Sequence, residues 1–226
     1  MPAFSRIQGL ALAAVLLFST PNAFAASDPA DLVDRARITV DDLKKDKEFG
    51  NAVDLMRRAK GVLIVPQLIK GGFFVGGEGG DAVLLTRGSG DTWSYPAFYT
   101  LASASFGLQA GIEQAELVAF VMSDKAMNAF MQDQFTIGGE AGLAVVTLGT
   151  NGEVATTSAV GADVVVWSSA SGAYAGLTLN GSIVKPRDSW NQSYYGRAES
   201  VRDIVTKHAA KNAGADSLRM TLASVH

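Results

Sequence analysis

Few residues in this chain have the type and spacing to do chemistry. Of the two histidines, His226 is terminal and His208 follows Lys207 in a stretch that reads as the face of a helix. A Ser-His-Asp arrangement would have to form around His208 without a G-x-S-x-G nucleophile turn, which the sequence lacks. A zinc site built on histidine is short of ligands, and with no cysteine in the chain thiolate metal sites, disulfides and a cysteine nucleophile are all excluded. Paired carboxylates remain. Glu78 with Asp81, and Glu140 in its glycine-rich run, are the candidates for hydrolysis or for holding a divalent cation, although "EGGD" also reads as a polar turn and no D-x-D-x-D-G loop is present. The expectation is no catalytic residues, no metal and no cofactor.

The glycine-rich run "AKGVLIVPQLIKGGFFVGGEGG" (59–80) invites comparison with a phosphate cradle. A P-loop needs G-x-x-x-x-G-K-[ST], but here Lys70 precedes the glycine pair and no hydroxyl residue follows as a magnesium ligand. The dinucleotide fingerprint needs a helix opening at its last glycine, and strand-like "AVLLTR" follows instead. The run therefore reads as β-structure: "GVLIVP" a buried strand, "QLIKGG" a connector, "FFVGG" a second strand and "EGGD" its turn.

Positive charge is what remains. Arg57, Arg58, Lys60 and, across a strand, Lys70 form one basic cluster, followed by Phe73 and Phe74. Lys185, Arg187, Trp190, Tyr194, Tyr195 and Arg197 interleave cations with aromatic rings in a second. Such clusters suit an anionic headgroup at a membrane surface, with aromatic residues at interfacial depth. Each has a structural reading beside it. Arg57 and Arg58 also suit the negative end of a helix dipole, and Trp190 and the tyrosines also suit a helix packed on a sheet. The net charge of −3 leaves no basic footprint for nucleic acid.

The elements that must position these residues divide into helices at both ends and strands between. Residues 27–48 and 50–59 read as helices, with Ser27 or Asp28 as cap and Pro29 in the first turn. From Lys60 the apolar period becomes two, giving strands at 61–66, 71–77, 81–87, 99–111, 116–122, 140–148, 153–159, 162–168 and 173–184. The segment "LASASFGLQAGI" alternates most clearly. A helix over 124–133 interrupts the series, and 197–210 and 216–225 close the chain as helices. The fold class expected is α+β: a mainly antiparallel, barrel-like β core with about three to four helices on its surface. One domain over 27–226 is expected (helices 27–59, β-rich core 60–185, helices 197–225). Residues 1–25, with Arg6, the apolar run 7–18 and "AFA" at 23–25, read as a secretory signal cleaved after Ala25. That predicts an exported protein of periplasm, envelope or secretion. Removing Arg6 (+1) takes the charge from −3 to −4.

Several motifs carry a family resemblance. "AKGVLIVPQLIKGGFFVGG" is followed by "WSYPAF", "SFGLQAG", "AELVAFVMSDKAMNAF" and the late "GAYAGLTLNGS". This series, covering about 50–196, resembles the SYLF-domain family. It departs at "TLGTNGE" (147–153), where relatives usually carry a glycine-proline pair. The resemblance implies a barrel-like core with surface helices, no enzyme activity, and binding of membrane lipids, particularly phosphoinositides in eukaryotic members. Arg57, Arg58, Lys60, Lys70, Lys185 and Arg187 are the expected lipid-binding residues. An envelope structural or protein-interaction module is the alternative.

Overall fold

The computed structural model describes residues 28–46, 49–72, 75–106, 111–137, 143–147, 161–169, 181–207 and 209–225. Helix α1 (Pro29–Leu43) starts at Asp28, whose carboxylate takes the Asp31 N–H at 2.9 Å. Helix α2 (Phe49–Arg58) ends in two arginines. Four long strands follow, β1 (Gly61–Gly72), β2 (Val75–Thr86), β3 (Ala97–Phe106) and β4 (Gly111–Val121). Then come α3 (Asp124–Phe130), β5 (Phe135–Thr136), β6 (Val145–Thr147), β7 (Val164–Ser168) and β8 (Ile183–Pro186). Helices α4 (Asp188–Tyr195), α5 (Val201–Val205) and α6 (Asp216–Ala223) complete the described chain.

The strands form one curled sheet in the order β5-β8-β3-β2-β1-β4-β7-β6. Every pairing is antiparallel except β6 with β7. The α+β class and the sheet core match expectation. The curl is that of an open half-barrel, and six helices rather than three or four cover it among the described residues.

Both faces of the sheet are buried where the first half of β1 lies between the second half of β2 and the end of β4, which is why β1 opens and β2 closes with an unbroken apolar run. Leu63, Val65, Ala82, Leu84, Tyr99, Leu117 and Val166 face α3 and α5. Val62, Ile64, Val83, Leu85, Phe98, Phe120 and Trp167 face α1, α2 and α6. Residues of odd and even number along one strand thus enter different cores, as the two-residue period requires.

Four expectations are corrected. "QLIKGG" is not a connector, nor "EGGD" a turn: β1 and β2 run through both, with Lys70 opposite Glu78 and Gly80 opposite Leu101. The glycines serve close approach of strands rather than reversal. "LASASFGLQAGI" is not one strand. β3 ends at Phe106 and β4 begins at Gly111, and the two are not neighbours, since β3 pairs with β2 and β4 with β1. The helix expected over 197–210 is reduced to α5, and α4 precedes it. Gly196 at φ +68° ends α4 in the left-handed conformation that favours glycine, and Ser200 caps α5 by accepting the Asp203 N–H at 3.1 Å. The strand expected at 153–159 lies outside the described residues.

Glu116 supplies a test of the α1 contact. It lies on the face that α1 covers and accepts a hydrogen bond from Thr39 Oγ1 at 2.8 Å. Burial pushes its carboxyl above the usual carboxylate range, while the Thr39 hydroxyl and Lys45 pull it back. A carboxyl raised in the folded state costs stability as the pH climbs above its ordinary value of about 4.5, and costs nothing once protonated in both states. Glu116→Gln keeps the acceptor for Thr39. It is expected to raise the urea midpoint at pH 7.5 and to leave it unchanged at pH 4; an equal gain at both, or a loss at pH 7.5, contradicts this account.

Candidate functional site

The six cations expected to bind lipid fall into three places. Arg57 and Arg58 lie exposed in the last turn of α2, with Lys60 immediately before β1. Lys70 is near the far end of the same strand, about 30 Å away at the rise of an extended chain. The structure therefore removes it from the first cluster. In register it stands opposite Glu78 on β2 and Glu113 on β4. Phe73 and Phe74 lie outside the described residues.

Lys185 and Arg187 share a third place, at the end of β8. Lys185 is exposed and sits opposite Thr100, which is opposite Asp81. Arg187 is ion-paired to Asp81, whose side chain is only 10% exposed, and its guanidinium carbon lies 3.5 Å from the centroid of the Trp190 ring. Arg187 is thus neutralised and stacked. Trp190 and Tyr194 meet Phe98 edge-on at 6.1 Å and 5.0 Å, and the Tyr195 hydroxyl donates to the Pro96 carbonyl. The second cluster is an anchor for α4, and of its cations only Lys185 stands clear.

The carboxylate pair separates as well. Glu78 shares a face with Ala82 and Leu84 and accepts from Ser103 Oγ at 2.7 Å. Asp81, three residues on, points to the opposite face, where Thr100 donates to it at 3.1 Å. Two acids on opposite sides of a sheet cannot converge on one bond. Glu140 and His208 lie outside the described residues. Among those described, no three His, Asp or Glu side chains group as metal ligands would.

A cleft of about 450 Å³ opens beside the first cluster, where α2 ends, β1 begins and β2 ends. Arg58, Lys60, Arg87, Asp124 and Met127 are among its walls. The hairpin β1–β2 creates it by pairing Gly61 with Thr86, which brings Arg87 beside Lys60; the Arg87 N–H donates to the Lys60 carbonyl at 2.9 Å. The Arg87 side chain reaches the carbonyls of Met56 and Ala59, filling acceptors that the last turn of α2 leaves open, and lies 4.6 Å over the Trp93 ring. Lys60 pairs with Asp124 at 2.9 Å. Sequence reasoning missed Arg87 and Asp124. The first was legible from hairpin arithmetic, since a strand from 61 paired with a strand ending at 87 puts Lys60 and Arg87 together.

Two other clefts are less suited to an anion. One of about 550 Å³ is lined by Asp133, Asp188 and Glu199 with Arg202. One of about 240 Å³, between α1 and the β1 bulge, carries Arg35 and Glu116. Arg35 is held there by Asp31 at 2.9 Å. No helix among the described residues is long and apolar enough to cross a membrane.

The Ysc84 family, described as "Las17-binding protein actin regulator", matches residues 102–225. LAS seventeen-binding protein 3 of Saccharomyces cerevisiae (strain ATCC 204508 / S288c) is 30% identical over 168 residues, 71% of this chain and 36% of that protein. SH3 domain-containing YSC84-like protein 1 is 32% identical in both Homo sapiens and Bos taurus. Those matches cover 73% and 75% of this chain, and 48% and 50% of the relatives. The chain spans half or less of the length of these relatives, of which the yeast protein is named as a binding protein. With the family match extending over more than half of its residues, the chain belongs to the Ysc84 family of SYLF-domain proteins.

Proposed function

We propose that this chain is a non-catalytic binding module that holds anionic phospholipid headgroups, phosphoinositides among them, weakly at the end of α2. The observation that carries this reading is the state of Arg57 and Arg58. Both are exposed, neither has an ion pair among the described residues, and Arg58 stands on the rim of the cleft that Lys60 and Arg87 line. Cations left unpaired beside a polar cleft are available to a headgroup, and each adds modestly to attraction toward an anionic surface. The separation of Glu78 from Asp81 supports the absence of catalysis. Lys70 and Arg187 take no part, since one lies at the opposite end of β1 and the other is held by Asp81. The apolar run 7–18 and the "AFA" at 23–25 support export, so the headgroup would be met at an envelope or extracellular surface.

Flotation with vesicles tests it. The protein is expected to bind phosphatidylcholine vesicles carrying phosphatidic acid or phosphatidylinositol 4-phosphate, and not phosphatidylcholine alone. Reversal of both charges in Arg57→Glu/Arg58→Glu is expected to weaken binding roughly tenfold. Added salt is expected to weaken the wild type. Equal, negligible binding to both vesicle types, or binding unchanged by the reversal, overturns the reading.

A second reading has its own support in the relatives' names: a protein-interaction module. Capture of Las17 that survives the double charge reversal, in a chain that ignores anionic vesicles, favours it.

A further inference from the structure

The cleft beside α2 contains a first-turn carboxylate of α3 that turns to a cation of the cleft. Asp124 is the first residue of α3, but the helix is capped by its neighbour, Ser123, whose hydroxyl accepts the Ala126 N–H at 3.0 Å. The Asp124 side chain is 82% exposed and extends instead to Lys60, whose own side chain is 43% exposed. Arg87 is occupied by two carbonyls, with Asp91 at 3.6 Å. Of the three cleft cations, only Arg58 has neither an ion pair nor a hydrogen bond among the described residues.

We infer that Asp124 is an internal competitor for the anion-binding cleft: a resident carboxylate that an incoming phosphate must displace from Lys60. This rests on the headgroup reading above and adds the residue that limits affinity. An arriving anion exchanges one ion contact of Lys60 for another instead of gaining a new one, so Lys60 contributes little net attraction while Asp124 is charged. The pair is exposed and therefore weak, which lets it open without disturbing the fold. The shared chemistry of the ligand is a phosphate group, whether on a lipid or free in solution.

The test uses the intact protein with phosphatidylcholine vesicles carrying phosphatidic acid and, separately, glycerol 3-phosphate in solution followed by chemical shifts. Asp124→Asn is expected to tighten vesicle binding about fivefold and to steepen its salt dependence, because binding then gains an ion contact rather than swapping one. Asp133→Asn makes the same change in net charge at an exposed acid in the acidic cleft, and is expected to leave binding unchanged. In a Lys60→Met background the gain from Asp124→Asn should vanish, which assigns it to the pair. Unaltered melting temperatures separate the effect from folding. A gain seen with glycerol 3-phosphate as well as vesicles supports the inference and assigns it to the phosphate itself; a gain with vesicles alone supports it and assigns it to the bilayer-bound headgroup. Equal gains from Asp124→Asn and Asp133→Asn, or a gain that persists without Lys60, overturn it. So does wild-type binding that Arg57→Glu/Arg58→Glu weakens but Asp124→Asn leaves unchanged. Absence of vesicle binding by every variant overturns the headgroup reading itself.

Discussion

Replacing Gly80 by alanine is expected to destabilise the protein by about 3 kcal/mol, whereas the same change at Gly77 is expected to be neutral or slightly favourable. Both glycines lie in β2 within one five-residue stretch, and neither is at a turn. The difference is in what stands over them. The register of β1 against β4 slips between Val65 and Leu68, and the bulge carries Gln67 over β2. A Cβ on Gly80 would lie 2.4 Å from the Gln67 carbonyl oxygen and 2.9 Å from Val65 Cγ1. The first is backbone, so relief requires the bulge itself to move. At Gly77 the nearest atom is the Ser103 carbonyl oxygen at 3.4 Å, an ordinary contact. There the added methyl mainly restricts the unfolded chain. At about 2–4 °C per kcal/mol for a chain of this size, Gly80→Ala should lower the melting temperature by roughly 6–12 °C. Thermal unfolding of the two variants side by side decides the matter, and similar melting temperatures would show that the bulge does not press on Gly80.

The same two glycines show where sequence reading reached its limit. Their abundance pointed to β-structure and away from a nucleotide loop, because no helix follows them. It did not distinguish a chain reversal from a close crossing of strands, since glycine suits both. "EGGD" therefore reads as a turn although β2 runs through it. The apolar runs of β1, β2 and β4 were legible because both faces of the sheet are buried there. So was α3, whose Ser123-Asp124 start is a cap followed by a first-turn acid. Helix α4 was not. Its sequence, DSWNQSYY, lacks an aliphatic stripe and is bound by aromatic edges and one buried amide. At the candidate site, Arg57, Arg58 and Lys60 were found because they are close in sequence. Lys70 was wrongly added to them because a connector was expected between residues 66 and 72. Asp124, the carboxylate that holds Lys60, was missed because it is 64 positions away and only the fold makes them neighbours.

Phe98→Ala is expected to cost about 4 kcal/mol and to loosen α4 together with Arg187 at its start. Phe98 is fully buried and opposite Val83 on β2. Its ring receives Trp190 and Tyr194 edge-on, contacts that add to the burial of the ring itself. Its backbone is where β8 stops covering the edge of β3. Pro186 pairs with Tyr99, and at the next position the Arg187 N–H donates to the Phe98 carbonyl at 2.8 Å while Asn191 Oδ1 accepts the Phe98 N–H at 2.9 Å. Asn191 is fully buried, so α4 continues the sheet edge with one amide and one side chain. Removing the ring leaves those hydrogen bonds possible but takes away the surface that holds the helix over them. Phe98→Leu, which refills most of the space, should recover at least half of the loss. The readouts are the urea midpoint and hydrogen exchange across 188–195. Exchange should rise there well before global unfolding in Phe98→Ala, and the Arg187–Asp81 pair should lose its protection from solvent. If the midpoint falls while exchange in α4 stays at wild-type levels, Phe98 supports the sheet core alone, and the anchoring of Arg187 must come from Asp81 and the Asn191 amide.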